Sequence, residues 1–219
     1  MDEAFGFKLF VCAGAIVLVA DEVSGSDKCD SLDALLYSQT AAARKVADYS
    51  LGESWCHANK MAMRITGALL LDNPGVSLPP ATPGHFSLLG LAQQVIHKRM
   101  PSSAIWGDSS FSSLLERATA ALARDTLQKH VLHEQRWIRF MLAVISPELN
   151  ITTVMIAFEF DEPIVDHVLE HRFSTEKVLG NVSIDIYRAL ADPDDYELSR
   201  QTIISLLGER RQEQIIALP

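Results

Sequence analysis

The sequence predicts a mixed fold of the α/β or α+β class, and the clearest evidence lies between residues 151 and 190. Residues 151–160 (ITTVMIAFEF) are rich in β-branched and aromatic side chains, as in a buried strand. Residues 164–171 place apolar side chains on one helical face, after an acidic cap and Pro163. Residues 182–187 (VSIDIY) alternate like a half-buried strand. We therefore expect a strand–helix–strand unit with parallel strands and a right-handed crossover, in one sheet with residues 7–19.

The totals are those of an ordinary globular protein. The chain has 219 residues, of which 48% are hydrophobic and 21% are charged. This length suits one large domain or two small ones. We expect a single α+β domain over residues 1–219, with a loop-and-helix insertion at 74–110 and a C-terminal tail at 209–219.

The first apolar run, Leu9 to Ala20, has two possible interpretations. Its dozen residues could pass for the apolar part of a signal peptide, but the start MDEAFGFK is acidic and no convincing cleavage site follows. The run is also too short to span a membrane. We expect Phe7–Val19 to be one buried strand, bent at Gly14, in a cytoplasmic protein. Three cysteines without a paired spacing fit a reducing compartment.

Helical periodicity recurs along the rest of the chain. Asp30 or Ser31 is the expected cap of the first helix, and Pro101 ends the second. Residues 53–72 fit a strand or a helix equally well, and residues 137–145 are either a strand paired with 151–160 or the end of the preceding helix. Helices are expected at residues 32–49, 85–98, 111–133 and 197–208.

The charge is acidic overall and unevenly placed. The formal net charge is -9, which counts against a free-standing nucleic-acid binder, because phosphate affinity comes from Lys and Arg. The first 33 residues are acidic, whereas the segment 97–139 is basic. This segregation fits either contacts with two differently charged partners or two solvated helix faces.

Catalytic and metal-binding patterns are weak. Cys56 is followed by His57, but adjacent side chains rarely face each other, so a Cys-dependent hydrolase would need a distant histidine. The pairs His130/His133 and His167/His171 have helical spacings that could hold a metal. There is no HExxH, P-loop, GxGxxG or GxSxG pattern. We expect no catalytic centre, no metal and no cofactor.

Three short segments carry a resemblance to a known family. SLDALLYSQTAAARK, GESWCHANKMAM and FEFDEPIVDHVLEHRFSTEKVLGNVSIDIY follow one another in the order of a first helix, a Trp-containing segment and a final strand–helix–loop–strand. In this order the chain resembles the RAMP superfamily of CRISPR effector subunits, in particular the small five-family type of class 1 and type IV complexes. It departs from that family in having one glycine where a glycine-rich loop is usual.

The resemblance implies a ferredoxin-like, RRM-like core with additional helices. It also implies a non-catalytic role, in which the protein grips the repeat-derived end of a guide RNA beside other subunits of an antiviral ribonucleoprotein complex. The cations and rings near the matching segments, with Trp55 and His57 expected in a loop, are the candidate RNA contacts. These candidates are Arg44, Lys45, Trp55, His57, Lys60 and Arg64.

Two other functions remain open at the level of sequence. An acidic protein of this size could be a toxin-neutralising, immunity-type partner that covers a basic target. The other is the Cys-dependent hydrolase, with Cys56 as its nucleophile.

Overall fold

A central sheet with helices on both faces organises the protein. The computed structural model describes residues 6–72, 76–78, 84–99 and 121–218. Within these ranges nine strands form one mixed sheet. Their order is β11 (Ile215–Ala217), β1 (Phe7–Cys12), β2 (Ala15–Ala20), β7 (Trp137–Ile145), β8 (Asn150–Phe160), β10 (Val178–Leu190) and β3 (Leu69–Asp72), with β4 (Val76–Leu78) on β10 and β6 (Leu132–His133) on β7. The α+β class is therefore confirmed.

The apolar N-terminal run forms two strands rather than one. β1 (Phe7–Cys12) and β2 (Ala15–Ala20) are antiparallel, and Cys12 pairs with Ala15 across a two-residue turn. Ala13 in this turn has a φ of 50°. The prediction of one bent strand was wrong. A two-residue turn adds no polar residues to a run that is buried on both faces, so the sequence does not show where the first strand ends.

The strand–helix–strand prediction was half right. β8 (Asn150–Phe160) and β10 (Val178–Leu190) are strands, but they are neighbours and antiparallel. Between them, residues 161–172 contain no helix, and a two-residue strand β9 (Phe173–Ser174) precedes a 3-10 turn at Thr175–Lys177.

Main-chain and side-chain groups of His167 set the turns of this connection, and the N–H groups of Glu170 and His171 both donate to the His167 carbonyl oxygen. The His167 ring accepts from the Leu169 backbone N–H and lies 3.1 Å from the carbonyl oxygen of Arg124. Ile164, Val168 and Leu169 are buried, so their helix-like spacing reflects contacts with the core and not a helix.

Two apolar cores lie on opposite faces of the sheet. β7 (Trp137–Ile145) shows the alternation that produces them: Phe140 and Leu142 enter one core, whereas Met141 and Ala143 enter the other. β7 pairs antiparallel with β8, which confirms the strand alternative for residues 137–145. It also lies parallel to β2.

The helices of one face are longer than expected. α1 (Gly25–Lys45) begins after Ser24, whose hydroxyl accepts from the Asp27 backbone N–H, so the predicted caps Asp30 and Ser31 lie inside the helix. α2 (Gly52–Ile65) resolves the ambiguous segment as a helix, which β3 (Leu69–Asp72) follows. Together with a later helix they cover the core that contains Trp55.

The other face carries two described helices. α3 (Leu88–Arg99) follows β5 (His85–Phe86), and α4 (Ala121–Val131) precedes β6 (Leu132–His133). The expected helix 111–133 is therefore confirmed over Ala121–Val131, and its first ten residues lie outside the described ranges. So does much of the expected insertion 74–110, of which β4 (Val76–Leu78), β5 and α3 are described.

The C-terminal segment is part of the fold and not a tail. α5 (Pro193–Leu207) is capped by Asp192, and α6 (Arg210–Gln214) and β11 (Ile215–Ala217) follow. β11 pairs with β1. Two ion pairs tie this segment to α1, Arg200 with Asp30 at 2.6 Å and Arg211 with Asp33 at 2.8 Å. Because Asp30 and Asp33 are neutralised inside the protein, the acidic N-terminal segment offers a smaller charged surface than its sequence indicates.

Candidate anion-binding pocket

A pocket of about 310 Å³ opens where the turn between β1 and β2 meets the ends of α1 and α6. This volume lies at the lower end of the range for small-ligand sites, roughly 300–1,000 Å³. We call it the arginine pocket. It is lined by Ala13, Gly14, Gln39, Thr40, Ala43, Arg44, Tyr49, Trp55, His130, Arg139, Arg210 and Gln214.

The floor of the arginine pocket is the β1–β2 turn, which Gln39 fixes to α1. The Gln39 side chain accepts from the Gly14 backbone N–H and donates to the carbonyl oxygens of Cys12 and Leu35. A Cβ at Gly14 would lie 3.3 Å from the His130 carbonyl oxygen, so a side chain there would crowd the floor. The floor is therefore held by hydrogen bonds and close packing.

Arg139 lies deepest among the cations. It is 3% exposed, and its guanidinium donates to the carbonyl oxygens of Val46 and Asp48 at 2.9 and 2.5 Å. Its Nε has no hydrogen-bond partner in the structure. Burial lowers the pKa of Arg139, against the opposing effects of Tyr49, Cys56 and Asp48, yet an arginine remains charged at neutral pH. A buried positive charge therefore lies beside the pocket.

The charge of the pocket is unbalanced. Arg44, Arg139 and Arg210 line it, no Asp or Glu does, and none of the three forms an ion pair with another described residue. By contrast, Arg200 and Arg211 on the adjoining helices are both paired with carboxylates. Among the three arginines only Arg139 has a nearby carboxylate, that of Asp48, which is exposed and does not line the pocket. In a protein of net charge -9 this local excess of positive charge makes the pocket a candidate site for an anion.

The aromatic rings at the pocket are already in contact with other groups. Tyr49 stacks on the His133 ring at 4.3 Å, and the Arg139 guanidinium lies 4.1 Å from the Tyr49 ring centre. Trp55 is 4% exposed and also lies beside Arg139. The rings therefore support the arginine and leave no open face for a base.

His130 adds a group that can titrate. Burial, and then the charge of Lys129, hold the pKa of His130 below its ordinary value, so its neutral form is favoured at pH 7. A bound anion would favour the charged form.

A second groove adjoins the arginine pocket between α1 and α5. Its volume is about 360 Å³, and it shares Thr40 and Arg44 with the pocket. We call it the α1/α5 groove. Its other lining residues are Tyr37, Ala41, Lys45, Leu206 and Leu207.

The structure brings some of the predicted RNA contacts together and separates others. Arg44 and Trp55 line the arginine pocket, and Lys45 lines the adjoining groove. His57 and Arg64 are exposed on α2 and line neither.

Lys60 and Trp55 differ most from expectation. The Lys60 ammonium lies 2.8 Å from an Asp185 carboxylate oxygen, in an ion pair whose side chains are 15% and 9% exposed. Trp55 and His57 lie in a helix and not in the predicted loop, and Trp55 belongs to the core. The loop was predicted because Gly52 was interpreted as the residue that ends the first helix. In the structure Gly52 is the first residue of α2.

The histidine pairs are not arranged as metal ligands. His130 lies in α4 whereas His133 lies in β6, and His167 and His171 lie in the irregular connection after β8. His171 packs on Phe160 and Phe173. Within the described ranges there is no group of three or more His, Cys, Asp or Glu side chains that could hold a metal ion.

Cys56 lacks the surroundings of a nucleophile. Its thiol is buried, and burial, with a smaller effect from Asp185, raises its pKa far above the ordinary value. Cys12 is likewise buried with a raised pKa, whereas Cys29 is exposed. A buried thiol with a raised pKa is a poor source of thiolate.

We expect one thiol of the folded protein to react with a disulfide reagent such as DTNB at neutral pH, and all three to react in denaturant, because only Cys29 is exposed. The measurement is the absorbance of released thiolate over time. Cys29→Ser is the control and should abolish the reaction of the folded protein. Rapid labelling of Cys56 in the folded Cys29→Ser protein would instead support the hydrolase alternative.

Sequence analysis missed Arg139, Arg210 and Gln39 as site residues. Arg139 had a detectable signal, since it is the one charged residue in the strand WIRFMLAVI. Arg210 lies in the segment expected to be a tail, and Gln39 lies in an ordinary helical pattern. Neither residue has a sequence signal that would place it at this turn.

Comparison of the chain with protein-family models, with curated proteins and with solved structures finds no match in any of the three. In the parts of the chain that the structure describes, no helix combines the length and the apolar character needed to cross a bilayer.

Proposed function

We propose that this protein is a non-catalytic RNA-binding and assembly subunit of a ribonucleoprotein complex. The observation that carries the proposal is the arginine pocket, which is lined by Arg44, Arg139 and Arg210 and by no carboxylate. Arginine binds phosphate oxygens with two parallel hydrogen bonds, which gives both energy and orientation. A phosphate of the RNA backbone supplies the negative charge that the pocket lacks.

The guide RNA of a CRISPR effector complex is the RNA that we propose, since the resemblance of the three sequence segments supports this assembly. With a net charge of -9, the protein needs neighbouring subunits to hold most of the RNA. Arg44 belongs to both the sequence candidates and the pocket. Three unpaired cysteines support a cytoplasmic location.

The ferredoxin-like core that the resemblance implies receives little support from the sheet. That core alternates β-α-β-β-α-β, with a helix before its last strand. Here β7 and β8 are adjacent antiparallel strands, but the connection from β8 to β10 contains no α-helix. The RNA proposal therefore depends on the pocket and not on the fold.

A protein-binding, toxin-neutralising role is the second candidate, and the net charge of -9 favours it. The ion pairs of Asp30 and Asp33 count against this role, because Arg200 and Arg211 of the same chain neutralise the two carboxylates. For a Cys-dependent hydrolase the buried Cys56 thiol gives no support, so a folded Cys56→Ala protein should retain its function.

The proposal is tested by titrating labelled single-stranded RNA with the purified protein at several salt concentrations. Arg44→Ala and Arg210→Ala should each flatten the slope of log affinity against log salt by about 0.7, the value for one lost phosphate contact. Arg172→Ala is the matched control, because Arg172 is exposed but does not line the pocket, and it should leave the slope unchanged.

Absence of RNA binding at every salt concentration, both for the protein alone and for the complex purified from its host, would overturn the proposal. A tight protein partner that co-purifies without RNA would then favour the toxin-neutralising role. Equal slopes for the wild type and both pocket variants, with RNA still bound, would place the RNA site elsewhere. The basic segment with Arg124 and Lys129 would be the next candidate.

A further inference from the structure

The arginine pocket narrows from an exposed rim to a buried floor. Arg44 is exposed at the rim and Arg210 is half-buried, whereas Ala13 and Gln39 below them are 4% and 8% exposed. The floor is closed by main-chain contacts, in which the Ala13 N–H donates to the Gln214 carbonyl oxygen and the Met141 N–H donates to that of Gly14. An RNA chain passing through a site needs an entrance and an exit, whereas a pocket with a closed floor suits a chain end.

The charge of the pocket also fits a chain end. A phosphate between two nucleotides carries one negative charge, whereas a terminal phosphate monoester carries between 1.5 and 2 at about pH 7. The three arginines supply three positive charges and no lining carboxylate offsets them. The electrostatic attraction of the pocket is therefore stronger for a terminal dianion than for a single internal phosphate.

Within the arginine pocket the rings of Tyr49 and Trp55 offer no free face to a terminal base. Tyr49 lies between His133 and Arg139, and Trp55 is buried, so neither ring can stack on a base without leaving these contacts. The α1/α5 groove starts at Arg44 and continues past Lys45, which is exposed. It provides a path for the nucleotide next to the end and a cation for the following phosphate.

Resting on the proposed RNA-binding function, we propose that the arginine pocket holds the terminal phosphate monoester of an RNA strand, and that the adjoining nucleotide lies in the α1/α5 groove. Recognition is by charge and by the closed shape of the pocket. It therefore depends on the phosphorylation state of the RNA end and not on the base that carries it.

The test compares labelled ten-nucleotide single strands with a 5′-phosphate, a 3′-phosphate or hydroxyls at both ends, at one fixed salt concentration. A phosphate at one end should tighten binding at least about tenfold, as expected for new charge-assisted hydrogen bonds. Changing the terminal base should alter affinity less than removing the phosphate does. The end that gives the effect identifies the polarity of the bound strand.

Arg44→Ala and Arg210→Ala should each reduce the difference between phosphorylated and unphosphorylated strands, whereas Arg172→Ala should keep it. Thermal unfolding checks that the variants remain folded, and Arg210→Lys keeps the charge if Arg210→Ala does not fold. Equal affinity for all strand ends would overturn this inference and leave the RNA-binding function standing. Binding of inorganic phosphate or a nucleoside monophosphate without binding of any RNA would overturn both.

Discussion

Replacing Lys60 with alanine is expected to lower the free energy of unfolding by about 3–5 kcal/mol, the cost of removing one partner from a buried ion pair. The Lys60 ammonium lies 2.8 Å from an Asp185 carboxylate oxygen, and both side chains are largely shielded from water. Alanine removes the Lys60 ammonium from its contact with a carboxylate that water reaches poorly. Urea denaturation at neutral pH measures the change.

Lys45→Ala is the matched control for Lys60→Ala, because Lys45 is exposed at the end of α1 and forms no ion pair with another described residue. Its effect should stay within about 0.5 kcal/mol. A Lys60→Ala protein of unchanged stability would contradict the structural role. If Lys60→Ala left the stability unchanged but flattened the salt dependence of RNA binding, Lys60 would be a phosphate contact, as predicted from the sequence.

Gly67→Ala is expected to destabilise the protein by about 2–5 kcal/mol, from the strain of a left-handed backbone together with overpacking. Gly67 has a φ of +87°, and a Cβ there would lie 2.9 Å from the carbonyl carbon of Asp195. Main chain at the start of α5 cannot move aside as a flexible side chain would. Thermal or urea unfolding of the purified variant measures the loss.

Gly180→Ala separates the two causes of this loss. Gly180 has a φ of +68°, but a Cβ there would meet no atom within 4 Å. Gly180→Ala should therefore lower the free energy of unfolding by the conformational contribution alone, about 1–2 kcal/mol. Equal losses at Gly67 and Gly180 would show that the close approach to α5 contributes nothing.

Much of the secondary structure could be predicted from local pattern. Residues 151–160 were correctly predicted as a strand, because a long run of β-branched and aromatic side chains is typical of a strand buried on both faces. For residues 137–145 the sequence left a strand and a helix end as alternatives, and pairing with β8 decides for the strand. The prediction of a helix within residues 161–172 failed. Ile164, Val168 and Leu169 have helical spacing, but the turns of this segment are fixed by His167 and by contacts with the core. Periodicity reports which residues are buried, and it identifies a helix only when the backbone is free to form one.

The candidate site was less predictable than the fold. Arg44 and Trp55 were found because they belong to a local cluster of cations and rings near the segments that carry the resemblance. The residues that complete the pocket come from β7 and α6, about 95 and 165 residues beyond Arg44, so only tertiary structure brings them together. The charge imbalance that marks the site exists only in three dimensions, because the chain as a whole is acidic.

The pairing of the first strand with the last affects the order in which the pocket can be assembled during synthesis. Phe10 in β1 lies opposite Ala217 in β11, and Arg210 reaches the pocket on the helix directly before that strand. At roughly 5–20 residues per second a ribosome needs about 1–5 seconds for the chain between the end of β10 and the start of β11, so this segment is made after the rest of the sheet. Until then the outer edge of β1 is unpaired and the pocket wall is incomplete. The wall of the arginine pocket is therefore completed only after the strands from β1 to β10 have been synthesised.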